Sequence, residues 1–192
     1  DYAAGTAFGS IQILGSSYSL GGNALTLSGG ITNSGSSNQL GCDLTLGASQ
    51  SIVSSGSLAF GGAVNLNGYN LTLNVSSSTV TLNAELTGTG NLTKQGGGTA
   101  TLLAAANSFD GSVLVSGGLL VFKGANQYTG ATTIQNSTLT IHDAAGLGSS
   151  AAGTSLSSGV LRLVGVGTTS GESLTMNLPG SPQLSSESGV NP

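Results

Sequence analysis

One six-residue phrase occurs twice in this chain, 19 residues apart, and no other feature restricts the fold as tightly. Ala106-Asn107-Ser108-Phe109-Asp110-Gly111 returns as Ala125-Asn126-Gln127-Tyr128-Thr129-Gly130. The register continues past the glycine without a gap, so Val115 falls on Ile134, Leu120 on Leu139 and Phe122 on Ile141. A unit this short cannot bury its own apolar residues, and it becomes stable only by stacking on the next copy. A fixed short repeat of this kind is the mark of a solenoid.

Outside the repeat a shorter word recurs: Leu25-Thr26-Leu27, Leu44-Thr45-Leu46, Leu71-Thr72-Leu73, Leu139-Thr140-Ile141 and Leu174-Thr175-Met176. In a strand its two apolar ends point to one face and the Thr to the other. Ile11, Ile13 and Tyr18 are the first strand candidates. Gly, Ser and Asn clusters such as Gly21-Gly22-Asn23, Gly61-Gly62 and Asn67-Gly68 separate the words, because these residues accept positive φ cheaply. Apolar residues alternate with period two, most clearly from Leu58 to Leu82, and no stretch has the period of a helix. Asn67-Gly68 is also a hairpin signal. An antiparallel sandwich, however, does not require core positions to recur in register, whereas a coil advancing one strand spacing per turn does.

The expectation is an all-β, single-stranded right-handed parallel β-helix with roughly 19 to 22 residues per coil. About nine coils at about 4.8 Å each make a rod near 45 Å long. The β-helix is expected over residues 1–177, with a repeat-like core at 88–148. Pro179, Pro182 and Pro192 are the only prolines. They mark residues 178–192 as a Pro/Ser-rich linker or irregular cap.

Composition removes several function classes. Charged residues make up 5% of the chain, against roughly 25% in an ordinary domain. With Lys94, Lys123 and Arg162 as the only fixed cations and a net charge of -4, the chain cannot hold many phosphates, so nucleic acid is excluded as a partner. Mean hydropathy is +0.25, which argues against disorder. Cys42 is the only cysteine, so no internal disulfide forms; it reads as a small buried apolar residue. No apolar run is long enough to span a bilayer. The chain begins and ends without a domain-like start or stop and reads as a piece of a longer protein.

Candidate chemistry is sparse. His142, the single histidine, is followed by Asp143, but neighbours on a strand point apart and a metal site needs several ligands. The pair reads as a surface turn after a strand ending at Ile141. Polysaccharide-cleaving β-helices need clustered acids, and here Asp1, Asp43, Glu85, Asp110, Asp143, Glu172 and Glu187 are scattered. Asp110 occupies the place that Thr129 takes one coil later. Gly96-Gly97-Gly98 lacks the following Lys and helix of a phosphate loop and reads as a coil corner. Thr79/Thr81, Thr87/Thr89 and Thr99/Thr101 suggest a water-ordering face, but their spacing along the chain does not match one coil. No catalytic, cofactor-binding or metal-binding residue is assigned, and no cofactor. Phe109 and Tyr128 are expected to stack. Asn107 and Asn126 are expected to form an inward ladder, with Asn38 an ordinary turn asparagine whose loss is neutral.

Lys94-Gln95-Gly96-Gly97-Gly98-Thr99, Ala106-Asn107, Phe109 and Gly111 resemble the autotransporter-associated β-strand repeat, also called the passenger-associated transport repeat. Gly124 to Ile134, Leu139 and Gly146-Leu147-Gly148 resemble it more closely. The first copy departs from the pattern at Ala100 and Ala104 and carries one extra residue between Thr101 and Asn107. The resemblance covers about a third of the chain. It implies a β-helical passenger of bacterial type V secretion, structural rather than catalytic, at the cell surface. Its partner would be a C-terminal outer-membrane β-barrel of the same polypeptide. Host or neighbouring-cell glycans or proteins, and end-to-end self-association, stay open as further partners. A carbohydrate-binding or carbohydrate-active β-helix and a self-assembling solenoid filament are the alternatives.

Overall fold

The computed structural model describes residues 2–166, 171–177 and 180–187. It is an all-β solenoid of about nine turns with about 20 residues per coil. Each coil contributes one short strand to each of two nine-stranded sheets, and paired strands run parallel. One sheet, here side two, runs from Ile11–Ile13 through Leu71–Val75 and Leu92–Gln95 to Leu174–Met176. Side three runs from Ser19–Leu20 through Leu58–Phe60 and Leu119–Phe122 to Gln183–Glu187. Side one has five strands, from Thr6–Phe8 to Leu86–Thr87. Beyond these, Ala106–Asn107 and Ala125–Asn126 form a separate two-stranded sheet.

The alternation read from the sequence is what builds the core. On side two, Ile11, Ile31, Ile52, Leu73, Lys94, Val115, Ile134, Leu156 and Met176 form one inward column, each in register with the next. Burying each aliphatic rung contributes roughly 1.5–3 kcal/mol. The Leu-Thr-Leu words all form strands, but on different sides. Leu25–Leu27 and Leu44–Leu46 lie on side one, Leu71–Leu73 on side two, and Leu139–Ile141 on side three. The word therefore specifies a strand with one buried face and carries no address within the coil.

Corners follow from backbone chemistry. Between sides two and three, Gly15, Gly35 and Gly56 stack so closely that a Cβ on Gly35 would sit 1.8 Å from the Gly15 carbonyl oxygen. No side chain fits there. Asn67 and Gly68 have φ of 52° and 87°, the left-handed pair of a hairpin turn, yet they link neighbouring sides of one coil. Leu66 N–H donates to Thr87 and Gly68 N–H to Thr89 in the coil beyond. Register with that coil, rather than turn chemistry, decides the strand direction.

Two expectations about faces change. Thr79 and Thr81 lie in register with Thr99 and Thr101, so these pairs do line up across one coil. The next coil places Leu119 and Val121 in the same columns, which ends the row after two ranks. In the tail, Gln183–Glu187 forms a strand that pairs with Val160–Val164. Leu178, Pro179 and residues 188–192, also assigned to the linker or cap, lie outside the described residues.

Candidate functional site

Residues 88–148 hold a buried lysine, a pair of stacked buried asparagines and a stacked pair of rings. Coil-to-coil spacing is uniform between the two copies. Val113 pairs with Thr132, Leu120 with Leu139 and Asn107 with Asn126, each 19 residues apart. The departure at Ala100 does not interrupt the register, since Ala100 pairs with both Val80 and Leu120.

Asn107 and Asn126 are buried and form the expected ladder. Asn107 Oδ1 accepts the Leu86 N–H of the preceding coil at 3.0 Å, and Asn107 Nδ2 donates to Asn126 Oδ1 at 3.0 Å. Asn126 Nδ2 donates to the Gly146 carbonyl at 2.6 Å. A buried amide must be satisfied, and here three consecutive coils satisfy it. Two residues on, the Phe109 and Tyr128 rings stack with centroids 5.2 Å apart and planes 24° apart, worth about 0.5–1.5 kcal/mol beyond area burial. The Tyr128 hydroxyl shares a 2.8 Å hydrogen bond with Thr132. Burial pushes this phenol well above its usual range. Gly148, with φ of 77°, packs against the Tyr128 ring, where a Cβ would come within 2.9 Å of Cδ2 and Cε2. The Gly146-Leu147-Gly148 end of the repeat is thus the lid on both the ladder and the stack.

Lys94 corrects the sequence reading. Although one of the three fixed cations, it is 0% exposed and occupies the inward column between Leu73 and Val115. Its Nζ donates to the carbonyls of Gln95 at 2.7 Å, Gly96 at 2.8 Å and Gly117 at 3.1 Å. Burial pushes the ammonium down to about 8, while the three carbonyls favour its charged form. Gly96 is therefore a corner whose carbonyl is capped by a core lysine. Nearer the N-terminus, Asn33 Nδ2 donates to Gly35 and Ser54 Oγ to Gly56 at the same corner, from the inward column two residues further along the strand. The shared local pattern is the available signal: all three are polar residues at an inward strand position two residues before a glycine.

Asn38 is a second correction. It is buried, donates to Asn33 Oδ1 and to the Gly15 carbonyl, and accepts the Tyr18 N–H. It is not a neutral turn residue.

The scattered acids do not converge. Among the described residues, no three His, Cys, Asp or Glu side chains gather where they could hold a metal ion. Asp110 takes a 2.5 Å hydrogen bond from the Thr129 hydroxyl, one coil on. Asp143 Oδ1 accepts the Ala145 N–H and shapes the turn after Ile141. His142 instead meets Lys123, its 19-residue counterpart, whose Nζ donates to Nε2 at 2.9 Å. Burial, and then the Lys123 charge, hold the imidazole below its usual range. Cys42 is buried.

Residues 92–122 and 118–141 each match the family model for the passenger-associated transport repeat. The block carries passenger-associated transport repeats. Neither a curated protein nor a solved structure matches the chain. The matched transport repeats contain Lys94, the Asn ladder and the aromatic stack; a further buried bond across coils, Asn33 Nδ2 to Ser54 Oγ, lies outside them. Lys94 reaches Gly117, Asn107 reaches Asn126 and Asn126 reaches Gly146 in the following coil, while the buried Ser137 hydroxyl donates back to the Val115 carbonyl. The transport repeats and the β-solenoid fold together fit an autotransporter passenger segment.

Proposed function

We propose that this chain is a structural stalk segment of a bacterial autotransporter passenger, displayed at the cell surface. A C-terminal outer-membrane β-barrel of the same polypeptide would deliver it, and the transport repeats would serve as the place where coil stacking starts. The observation that carries the reading is the asparagine ladder of the matched block, in which Asn107 and Asn126 each donate to the coil that follows. Asn107 Nδ2 and Asn126 Nδ2 are each met only once the coil that follows is in place. A coil arriving on the N-terminal side docks with its donor satisfied at once, so the block is a template for adding coils in one direction. Composition supports the same role. With Cys42 as the only cysteine, no internal disulfide obstructs export, and few charges have to cross. Contacts between adjacent coils keep contact order low.

The experiment is deletion of residues 107–125 from a full-length host protein. This removes one repeat length and joins Ala106 to Asn126 in register. Surface delivery, followed by pulse-chase and protease accessibility, is expected to slow, with any activity per displayed molecule unchanged. Normal delivery with a lost binding or enzymatic activity would reject the stalk reading in favour of a carbohydrate-binding or carbohydrate-active β-helix.

A further inference from the structure

The outer face of side two carries uncharged polar groups in register from coil to coil. Along Leu71–Val75 the outward residues are Thr72 and Asn74, preceded by Asn70; along Leu92–Gln95 they are Thr93 and Gln95, preceded by Asn91. Thr72 pairs with Thr93 and Asn74 with Gln95, so an Asn-Thr-Asn rung lies about 4.8 Å from an Asn-Thr-Gln rung. The two leading amides are fixed in orientation. Asn70 Oδ1 accepts the Asn91 N–H at 3.0 Å, and Asn91 Oδ1 accepts the N–H and the hydroxyl of Ser112, each at 2.8 Å. Both asparagines are exposed, and neither Nδ2 meets an acceptor among the described residues. The face is also neutral. The Thr72 column runs from Ser51 to Thr175, and the Asn74 column from Gln12 to Gln95, without a charged side chain. Two large side chains border the rungs in mid-solenoid. Val53, 43% exposed, adjoins Asn74 in register, and Tyr69, 38% exposed, precedes Asn70 at the corner with side one.

We propose that this face, from Tyr69 to Gln95, is a binding site for an uncharged polysaccharide whose chain lies across successive coils. Three observations select that occupant. No cation stands in these columns to meet a carboxylate, sulfate or phosphate, so a charged glycan or a nucleic acid finds no counter-charge there. Val53 and Leu114 are the only apolar members of the two columns. That is too little to drive pairing with a second copy of the chain, since the buried centre of a stable interface is apolar. The outward amides and hydroxyls supply both donors and acceptors, which sugar hydroxyls match, and the C–H face of a sugar ring covers an exposed aromatic such as Tyr69. The amide donors of Asn70 and Asn91 are already held by the backbone, so binding costs them little freedom. Their recurrence at one-coil spacing suits a chain of repeating units rather than a single sugar. The site goes beyond the stalk reading and does not depend on it. It lies outside residues 107–125, so loss of that repeat removes no part of it.

The test is native electrophoresis of the chain through gels that each contain one neutral polymer: hydroxyethylcellulose, laminarin, dextran or galactomannan. Polygalacturonate is the charged control, and every variant is compared with its own mobility in a polymer-free gel. The expected result is retardation in at least one neutral gel and none in polygalacturonate. Asn91→Asp keeps an oxygen to accept the Ser112 N–H and removes the outward donor. It should therefore keep the native melting temperature while weakening retardation by about tenfold, as should Tyr69→Ala. Gln39→Ala, on the outer face of side three, should leave retardation unchanged. Free mobility in all four neutral gels, retardation of Asn91→Asp or Tyr69→Ala equal to that of the native chain, or retardation by polygalacturonate would each overturn the proposal. Retardation that grows with protein concentration in the polymer-free gel and vanishes in Asn91→Asp would overturn it in favour of a second copy. Delivery of the 107–125 deletion tests the stalk reading separately.

Discussion

Side one of the solenoid is built in two ways. From Thr6 to Thr87 it is a five-stranded sheet whose inward positions are aliphatic, as in Leu25/Leu27 and Leu44/Leu46. From Ala106 to Gly148 the same side is two short strands, an asparagine ladder and a stacked pair of rings. The two solutions fill the same space under different rules. Dispersion and hydrophobic burial are non-directional, so the aliphatic stretch tolerates any side chain of suitable volume. An amide bonded above and below tolerates neither a slipped register nor a missing neighbour. The aliphatic half supplies bulk, and the transport repeats fix where each coil sits on the next.

The largest expected effect is on the ring stack. Phe109→Ala or Tyr128→Ala should each destabilise the solenoid by about 3–5 kcal/mol, read from urea unfolding midpoints. The double variant should depart from additivity by roughly 0.5–1.5 kcal/mol, because each ring is the other's partner. Leu46→Ala is the matching change in the aliphatic half. If it costs more than either ring variant and the two rings prove additive, the two halves are equivalent and the distinction fails.

Next comes the ladder. Asn107→Ala leaves the Leu86 N–H and Asn126 Oδ1 unmet, at about 1–3 kcal/mol for each group. Asn107→Leu, which copies the aliphatic half, should remain destabilising for the same reason. A Leu variant as stable as the native chain would show that the two constructions are interchangeable. Asn38→Ala should be destabilising too, given its three hydrogen bonds.

The smallest effect concerns Lys94. Its folded-state value, about 8, lies below its ordinary value of 10.5. Between these two pH values the unfolded chain holds more protons than the folded one, so stability rises as pH increases from about 8 to about 10.5. Below pH 8 both states are protonated and the contribution is flat. Thermal melts across that window should show a rise in the native chain that is missing in Lys94→Met. Parallel curves would mean that the ammonium is not titrating inside the core.

The sequence by itself determined the architecture. A repeat in register and period-two alternation leave few ways to bury apolar residues other than stacking coils. It also placed Phe109 over Tyr128 and Asn107 over Asn126, because a shared offset in a solenoid is a statement about neighbours. Tertiary structure decided what alternation cannot encode. Lys94 and Asn38 look like surface residues by chemistry, and only the carbonyls that converge on them at the glycine corners make burial favourable. Thr79/Thr81 and Thr99/Thr101 stand one coil apart, but Thr87/Thr89 between them hides this along the chain, and only the register shows which residues meet. Lys123 and His142 carried the 19-residue offset in plain view, but their contact depends on both side chains leaving the same face. Which side of the coil a Leu-Thr-Leu word occupies was likewise settled by its neighbours above and below. A strand's pattern specifies one buried face, and only the adjacent coil specifies which face of the molecule that is.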